Sequence, residues 1–133
     1  MNKKILRIID ANINRITEGL RVIEETLRFV YRFESKYKAL REIRHKIPKL
    51  FLKFYPSTVF QRNSISDPGI SAKEKKYKNI NQLLISNFHR VSESLRVLEE
   101  LSKLVDIKNV LKLKKIRYKI YDLEKEIIKK IFK

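Results

Sequence analysis

The feature that most constrains the fold is an internal repeat of fourteen residues. The segment NINRITEGLRVIEE (12–25) returns as NFHRVSESLRVLEE (87–100). Eight positions are identical: Asn12/Asn87, Arg15/Arg90, Glu18/Glu93, Leu20/Leu95, Arg21/Arg96, Val22/Val97, Glu24/Glu99 and Glu25/Glu100. Leucines can recur because every core needs them. Repeated Asn, Arg and Glu need a further explanation, either in packing or in function.

The repeat extends into a second segment of each copy. LREIRHKI (40–47) aligns with LKKIRYKI (113–120), and five of the eight residues agree. Each copy is therefore predicted to be a pair of helices. Two amphipathic hairpins bury their apolar stripes against each other, so we predict an all-α four-helix bundle with a pseudo-two-fold axis. It forms a single domain, 1–133, made of repeat one (about 3–54), a loop (55–71) and repeat two (about 72–133).

Apolar spacing and helix-breaking residues predict four helices, at about 3–33, 35–54, 72–104 and 107–132. In the first, apolar residues form one stripe from Ile5 to Val30. Pro48 is expected to kink or end the second helix. SAKE (71–74) has the pattern of a capping box for the third helix, and Asp106 is a candidate N-cap for the fourth. The loop holds the other two prolines and the turn signal DPG (67–69).

The composition excludes several classes of protein. Cysteine is absent, which excludes disulfides and thiolate metal sites, and two distant histidines argue against a zinc site. No apolar run approaches the ~20 residues of a membrane-spanning helix. No secretory signal is recognised, so the expected location is the cytoplasm. The formal net charge of +17 fits either an anionic partner or the Lys/Glu/Ile-rich surface of heat-adapted proteins. We favour the second as the source of most of this charge.

The repeated polar residues fall into two groups on a helical wheel. One group is expected on the outer surface, where pairs three or four residues apart contribute about 0.2–0.5 kcal/mol each: Arg21, Arg96, Glu24 and Glu99. The other group borders the apolar stripe, where an unpaired amide or guanidinium is costly: Asn12, Arg15, Asn87 and Arg90. This second group is expected either to find partners inside the bundle or to line a polar pocket between the first and third helices.

Such a pocket would have the chemistry of a phosphate site. Arginine binds phosphate through a fork of donors, which suits Arg15 and Arg90. Four carboxylates can hold Mg²⁺ or accept a proton: Glu18, Glu93, Glu25 and Glu100. In the loop, RNSISDPG (62–69) can close over a ligand and contact a phosphate or a metal, or Asp-Pro-Gly is simply a turn. Neither His45 nor His89 is predicted to be catalytic.

Five segments, in order, resemble a known family. They are IDANINRITEGLRVIEETLRF (9–29), LREIRHKI (40–47), RNSISDPG (62–69), NFHRVSESLRVLEELSKL (87–104) and IRYKIYDLEKEI (116–127). Over nearly its whole length the chain resembles the helical domain fused in front of thiamine-phosphate synthase in various bacteria. Pro68 departs from that family, which often has valine there. No synthase portion is present in the 133 residues, so the resemblance predicts a stand-alone member.

The resemblance implies an alternative hydroxymethylpyrimidine-phosphate kinase of thiamine biosynthesis. Its reaction transfers a phosphoryl group from ATP, with Mg²⁺, to 4-amino-5-hydroxymethyl-2-methylpyrimidine phosphate. For that reaction we predict the following catalytic residues: Arg15, Glu18, Arg90, Glu93 and Asp67. The predicted binding residues for the phosphates and the pyrimidine edge are Asn12, Asn87, Arg62 and Gly69. The predicted Mg²⁺ ligands are Glu18, Glu93 and Asp67.

Other partners remain open besides the phosphorylated aminopyrimidine. A non-catalytic domain would dock onto a separate thiamine-phosphate synthase, and a second copy of the chain would form a homodimer. A basic helical module would bind nucleic acid, but this is not favoured because the sequence shows neither a helix-turn-helix signature nor a basic stripe on one face. No membrane is expected as a partner.

Overall fold

The fold is all-α. A computed structural model describes residues 2–133, and across them there is no β-strand. The α-helices of this range are α1 (Lys3–Phe29), α2 (Glu34–Leu50), α3 (Ser57–Phe60), α4 (Ile80–Val105) and α5 (Lys108–Ile131). Because α3 is a single turn, the architecture rests on four long helices, as the sequence predicts. None of the helices in this range is both long and apolar enough to cross a bilayer.

The first helix, α1, begins at a side-chain cap and is followed, three residues after its end, by a left-handed residue. The Asn2 side chain accepts a hydrogen bond from the Lys4 N–H at 2.8 Å. The helix ends at Phe29, before the predicted position 33, because Arg32 adopts a φ of 54°. The chain then turns sharply, and the Phe33 N–H donates to the Leu27 carbonyl at 2.8 Å. This turn directs α2 back along α1.

The second helix, α2, ends at Leu50 instead of 54. Pro48 lies in its last turn, and the helix stops soon after it, as expected. The chain continues as a 3₁₀ turn (Leu52–Phe54) and buries Phe51 and Phe54 with their ring centroids 6.3 Å apart. The loop predicted at 55–71 contains α3 and a second 3₁₀ turn (Pro68–Ser71). Irregular backbone continues beyond it to residue 79.

The third long helix, α4, starts at Ile80 instead of 72 because a different cap is used. The Asn79 side chain accepts from the Gln82 N–H at 2.9 Å, and the Gln82 side chain accepts from the Lys78 N–H at 2.7 Å. This arrangement satisfies two N–H groups that would otherwise lack partners, and the prediction of a capping box at SAKE (71–74) is wrong. Asp106 lies just before the α5 N-cap and accepts from the Lys108 N–H at 3.3 Å. A bond from Lys53 holds the pKa of Asp106 below its usual range.

The two hairpins meet through α1 and α4. α2 packs against α1, α5 packs against α4, and α2 also contacts α5. The approach of α1 to α4 is close at buried Gly19, where an added Cβ would lie 2.8 Å from Val91 Cγ2. The repeat aligns Gly19 with Ser94, which is buried as well. Small residues at these aligned positions therefore set the spacing of α1 and α4.

Candidate functional site

A polar groove of about 430 Å³ lies between α1 and α4. α1 contributes Asn12 and Arg15, and α4 contributes the remaining lining: Ser86, His89, Arg90, Glu93, Ser94 and Val97. The groove lies where the sequence places a polar pocket, between the first and third predicted helices. It brings together one arginine from each copy of the repeat.

The two repeated asparagines are buried, as their border position predicts. Asn12 is 2% exposed and Asn87 is 8% exposed. The amide nitrogen of Asn12 donates to the Ile8 carbonyl, and that of Asn87 donates to the Leu83 carbonyl, both at 2.8 Å. The Asn12 oxygen also accepts from Arg15 Nη1 at 3.5 Å. The asparagines thus brace their own helices, and their pairing with a ligand stays a prediction.

The arginines of the repeat divide into two exposed groups. Arg15 and Arg90 line the groove, and among residues 2–133 neither forms an ion pair. Arg21 and Arg96 lie on the outer surface, as predicted, and pair with Glu25 at 3.0 Å and Glu100 at 3.1 Å. Glu25 and Glu100 therefore already have surface partners. The positive charge that is available to a ligand in the groove comes from Arg15 and Arg90.

The prediction that Glu24 and Glu99 lie on the surface is wrong. Glu24 is 3% exposed and Glu99 is 2% exposed. Arg44 of α2 binds both oxygens of Glu24, at 2.6 and 3.1 Å. Arg117 of α5 binds both oxygens of Glu99, and its bond to Glu99 raises the pKa of the guanidinium. A helical wheel of one helix cannot show a counter-charge that arrives from the other helix of the hairpin.

These contacts agree between the two halves, position by position. The repeat aligns Glu24 with Glu99 and Arg44 with Arg117, and each aligned pair forms the same bidentate bridge. The asparagine bonds to the carbonyl four residues earlier also correspond. These matches favour a common origin for the two hairpins. The pseudo-two-fold axis itself stays a prediction.

The carboxylates predicted to hold Mg²⁺ are not gathered in one place. Glu93 lines the groove, Glu18 is exposed outside the groove lining, and Asp67 lines a different cavity. Within residues 2–133 no three His, Asp or Glu side chains are grouped as a metal site. Mg²⁺ often takes one or two protein carboxylates and completes its shell with water and substrate phosphates. Glu93, the carboxylate in the groove lining, is a side chain of the type that such a shell uses.

The loop around RNSISDPG covers another face of α1. Arg62 Nε and Nη2 donate to the two carboxylate oxygens of Asp10, at 2.7 and 2.9 Å, and this bonding raises the pKa of Arg62. Asp67 accepts from the Gly69 N–H at 2.8 Å, so DPG forms a capped turn. The predicted phosphate contact of Gly69 must therefore compete with Asp67. Arg62 and Asp67 line a cavity of about 230 Å³ that contains none of the groove residues.

Sequence reasoning missed two positions that line these cavities. His89 lines the groove, and its Nε2 lies 3.8 Å from a Glu124 carboxylate oxygen. Burial raises the pKa of Glu124, while the nearby His89 charge lowers it to a smaller extent. Asp10 is buried and anchors the loop through Arg62. Asp10 opens the motif DAN, but only the folded chain shows that its partner lies fifty-two residues away.

The sequence matches known proteins over nearly its full length. Residues 7–126 match the profile of the ThiD2 family. The thiamine-phosphate synthase of Prochlorococcus marinus is 37% identical over 96% of this chain and 37% of its own length. Those of Nostoc punctiforme and Parasynechococcus marenigrum are 35% and 34% identical over 93% of this chain, and over 35% and 36% of their own. This chain thus spans about a third of the length of these relatives. No solved structure matches it.

Proposed function

The chain belongs to the ThiD2 family, and from this membership we propose that it is a phosphotransferase of thiamine biosynthesis. The proposed reaction converts ATP and 4-amino-5-hydroxymethyl-2-methylpyrimidine phosphate into ADP and the pyrimidine diphosphate. The observation that carries the proposal is the pair Arg15 and Arg90 in one groove. The relatives named thiamine-phosphate synthase support the pathway, although this chain corresponds to about a third of each.

This reaction requires positive charge more than it requires a base. The nucleophile is an oxygen of the substrate phosphate, which has a second pKa of about 6 and is anionic at pH 7. It attacks the γ-phosphorus of ATP, and the bond from that phosphorus to the bridging oxygen of ADP breaks. Because two anions must be brought together, two guanidinium groups without carboxylate partners are suited to bind and orient them.

The neighbours of the two arginines have supporting parts in this proposal. The Asn12 oxygen, held by the bond of its amide nitrogen to Ile8, orients Arg15. Glu93 would be the protein ligand for Mg²⁺ in the groove, and the ion would supply positive charge that neutralises the ATP phosphates. Gly19 and Ser94 keep α1 and α4 close enough for both arginines to face one ligand.

A direct assay tests the proposal. Purified protein is incubated with ATP, Mg²⁺ and the pyrimidine monophosphate, and the diphosphate is measured by phosphorus NMR and chromatography. We expect stoichiometric formation of diphosphate and ADP. A ribokinase-like kinase for the same substrate is the control. If the control forms diphosphate and this protein does not, the chain is not the kinase.

A second candidate function follows from the lengths of the relatives. Since they carry this region within chains about three times as long, the domain is also suited to act as a non-catalytic partner of a separate thiamine-phosphate synthase. Co-purification with that enzyme, without diphosphate formation, would support this candidate. If the isolated chain forms the diphosphate, a non-catalytic role is no longer needed to explain the domain.

A further inference from the structure

Two cavities on the outer face of α1 meet at three shared residues. One cavity, of about 330 Å³, lies between α1 and the turn after α2. The other, of about 230 Å³, lies between α1 and the loop that follows α3. Asp10, Asn14 and Arg62 line both. The two cavities therefore adjoin along a shared wall, as two compartments of one composite site.

The two compartments differ in chemistry. The larger is walled by apolar and aromatic side chains: Ile13, Pro48, Phe51, Leu52 and Tyr55. The smaller is lined mostly by polar and charged residues, with Arg7, Ser64 and Asp67 beside the shared ones. Ligand pockets commonly combine an apolar wall with a few polar groups that fix orientation. A flat ring fits the first compartment, and an anionic group fits the second.

The charges at the junction favour a phosphate over a neutral ligand. Arg62 uses Nε and Nη2 on Asp10, so its Nη1 is left to another acceptor. Arg7 is exposed and, within residues 2–133, forms no ion pair. Two guanidinium groups thus face this compartment, and of its two carboxylates Asp10 is bound by Arg62 while Asp67 accepts from the Gly69 N–H. Such an arrangement binds a phosphate with charge-assisted hydrogen bonds.

This site is absent from the second half of the chain. The repeat aligns Asp10 with Ile85, which cannot hold an arginine, and Asn14 with His89. The loop that supplies Arg62 follows the first hairpin. The asymmetry separates this site from the groove, to which both copies contribute. Packing of the repeat does not by itself require such a site.

We infer that this composite site binds a phosphorylated heteroaromatic ring, with the ring against Tyr55 and the phosphate at Arg7 and Arg62. The identity of the ligand rests on the proposed function, which makes it the aminopyrimidine monophosphate. Because this site lies on a different face of α1 from the groove, it is a second site for that compound, and the reacting molecule and ATP meet in the groove lined by Arg15 and Arg90. A nucleoside monophosphate shares the same chemistry, so the experiment must distinguish the two ligands.

Calorimetric titration without ATP or Mg²⁺ tests the inference, with three probes: the pyrimidine monophosphate, its unphosphorylated alcohol, and AMP. Removing the aromatic face by Tyr55→Ala should weaken binding of the monophosphate and the alcohol about 5- to 150-fold. Arg7→Gln should weaken the monophosphate about 10- to 150-fold and leave the alcohol unchanged. AMP should bind more weakly than the pyrimidine monophosphate.

Matched controls use exposed residues outside both compartments. Tyr77→Ala and Arg41→Gln should bind the monophosphate as the wild type does. Should Tyr55→Ala fail to fold, Leu52→Ser removes another exposed part of the same wall. Unchanged binding in both Tyr55→Ala and Arg7→Gln would overturn the inference, as would failure of the wild type to bind the monophosphate. Tighter binding of AMP would overturn the assignment to the pyrimidine.

Binding and turnover together distinguish a failure of this inference from a failure of the proposed function. Site-dependent binding of the monophosphate without any turnover would support this site and defeat the kinase. Normal turnover and binding in Tyr55→Ala and Arg7→Gln would support the kinase and defeat this site.

Discussion

Two sets of repeated charges differ in environment: the buried pairs Glu24–Arg44 and Glu99–Arg117, and the groove arginines Arg15 and Arg90. Both glutamates and both groove arginines nevertheless come from the same fourteen-residue repeat. Each pair is bidentate and lies within one hairpin. The groove arginines are exposed and, among the described residues, have no carboxylate partner. A repeated polar residue therefore marks either packing or a binding surface. The decisive difference is whether the other helix of the same hairpin supplies a counter-charge.

Breaking a buried pair should give the largest effect on stability. Glu99→Ala leaves Arg117 without its carboxylate in a site where Arg117 is only 9% exposed. Removing one partner of a buried pair typically costs about 3–5 kcal/mol. Urea denaturation should show this loss. Glu24→Ala should cost less, because the Arg44 side chain is more exposed than that of Arg117, 17% against 10%.

The adjacent residue provides the control for that experiment. Glu100 lies next to Glu99 but forms its ion pairs on the surface, with Arg96 and Lys103. Exposed pairs contribute about 0–1 kcal/mol, so Glu100→Ala should unfold almost as the wild type does. Equal losses for Glu99→Ala and Glu100→Ala would contradict the distinction between buried pairs and exposed charges.

The groove arginines should show the reverse behaviour. Arg15→Lys and Arg90→Lys keep the charge but lose the fork of donors. If these arginines bind phosphates in the transition state, kcat/KM should fall by about 10- to 150-fold for each variant. The melting temperature should hardly change, because both side chains are exposed. Diphosphate formation and thermal unfolding are measured on the same preparations.

Arg21→Lys and Arg96→Lys are the matched controls. They lie in the same repeated segments but on the outer surface, paired with Glu25 and Glu100. Neither turnover nor melting temperature should change in these variants. Lower stability with intact turnover in Arg15→Lys and Arg90→Lys would show that the groove arginines are structural after all.

Both the buried glutamates and the groove arginines lie on α1 and α4, and Gly19→Ala tests the close contact between these two helices. The added methyl would meet Val91 Cγ2 at 2.8 Å. Overpacking typically costs about 1–3 kcal/mol, and the gain of about 1 kcal/mol in helix propensity offsets only part of this. We expect a net loss of up to about 2 kcal/mol in urea denaturation. Val91→Ala should cost less in the Gly19→Ala background than in the wild type, and additive losses would exclude this contact as the cause.

Helix number and fold class are predictable from this sequence because they depend on local spacing and on the repeat. The helix ends are less predictable. Arg32 ends α1 through a left-handed backbone that its side chain does not signal. Two sequence patterns are candidates for the start of α4, SAKE (71–74) and Asn79 with Gln82, and the structure uses the second. Both patterns can cap a helix, so pattern alone does not choose between them.

The groove is more predictable from the sequence than the buried ion pairs and the cavity at Asp10 are. Asn12, Arg15 and Arg90 border an apolar stripe, and a wheel of one helix places them there. Burial of Glu24 and Glu99 depends on arginines from α2 and α5. The cavity at Asp10 depends on a loop contact across fifty-two residues. Such long-range contacts leave no local pattern. The sequence does contain one indirect signal: arginine recurs at the aligned positions 44 and 117, as expected of residues that pair with the repeated glutamates.

The smallest effect is expected at Glu124, which lies beside the groove residue His89. It belongs neither to the buried ion pairs nor to the groove arginines. Burial raises the pKa of Glu124 from its usual value of 4.5 in the folded state. The stability that its proton provides is full below about 4.5 and is lost as the pH rises through the raised pKa. At pH 7 the charged carboxylate is therefore slightly unfavourable. Glu124→Gln should stabilise the fold there by up to about 0.5 kcal/mol.

A series of urea denaturations from pH 4 to pH 7 checks this sign, with Asp122→Asn, an exposed position on α5, as the control. The advantage of Glu124→Gln should shrink toward pH 4, because the wild-type side chain is then also neutral. A variant that is less stable than the wild type at pH 7 would show that attraction to His89 outweighs burial. In that case Glu124 would resemble the buried carboxylates Glu24 and Glu99, whose neighbours compensate their charge.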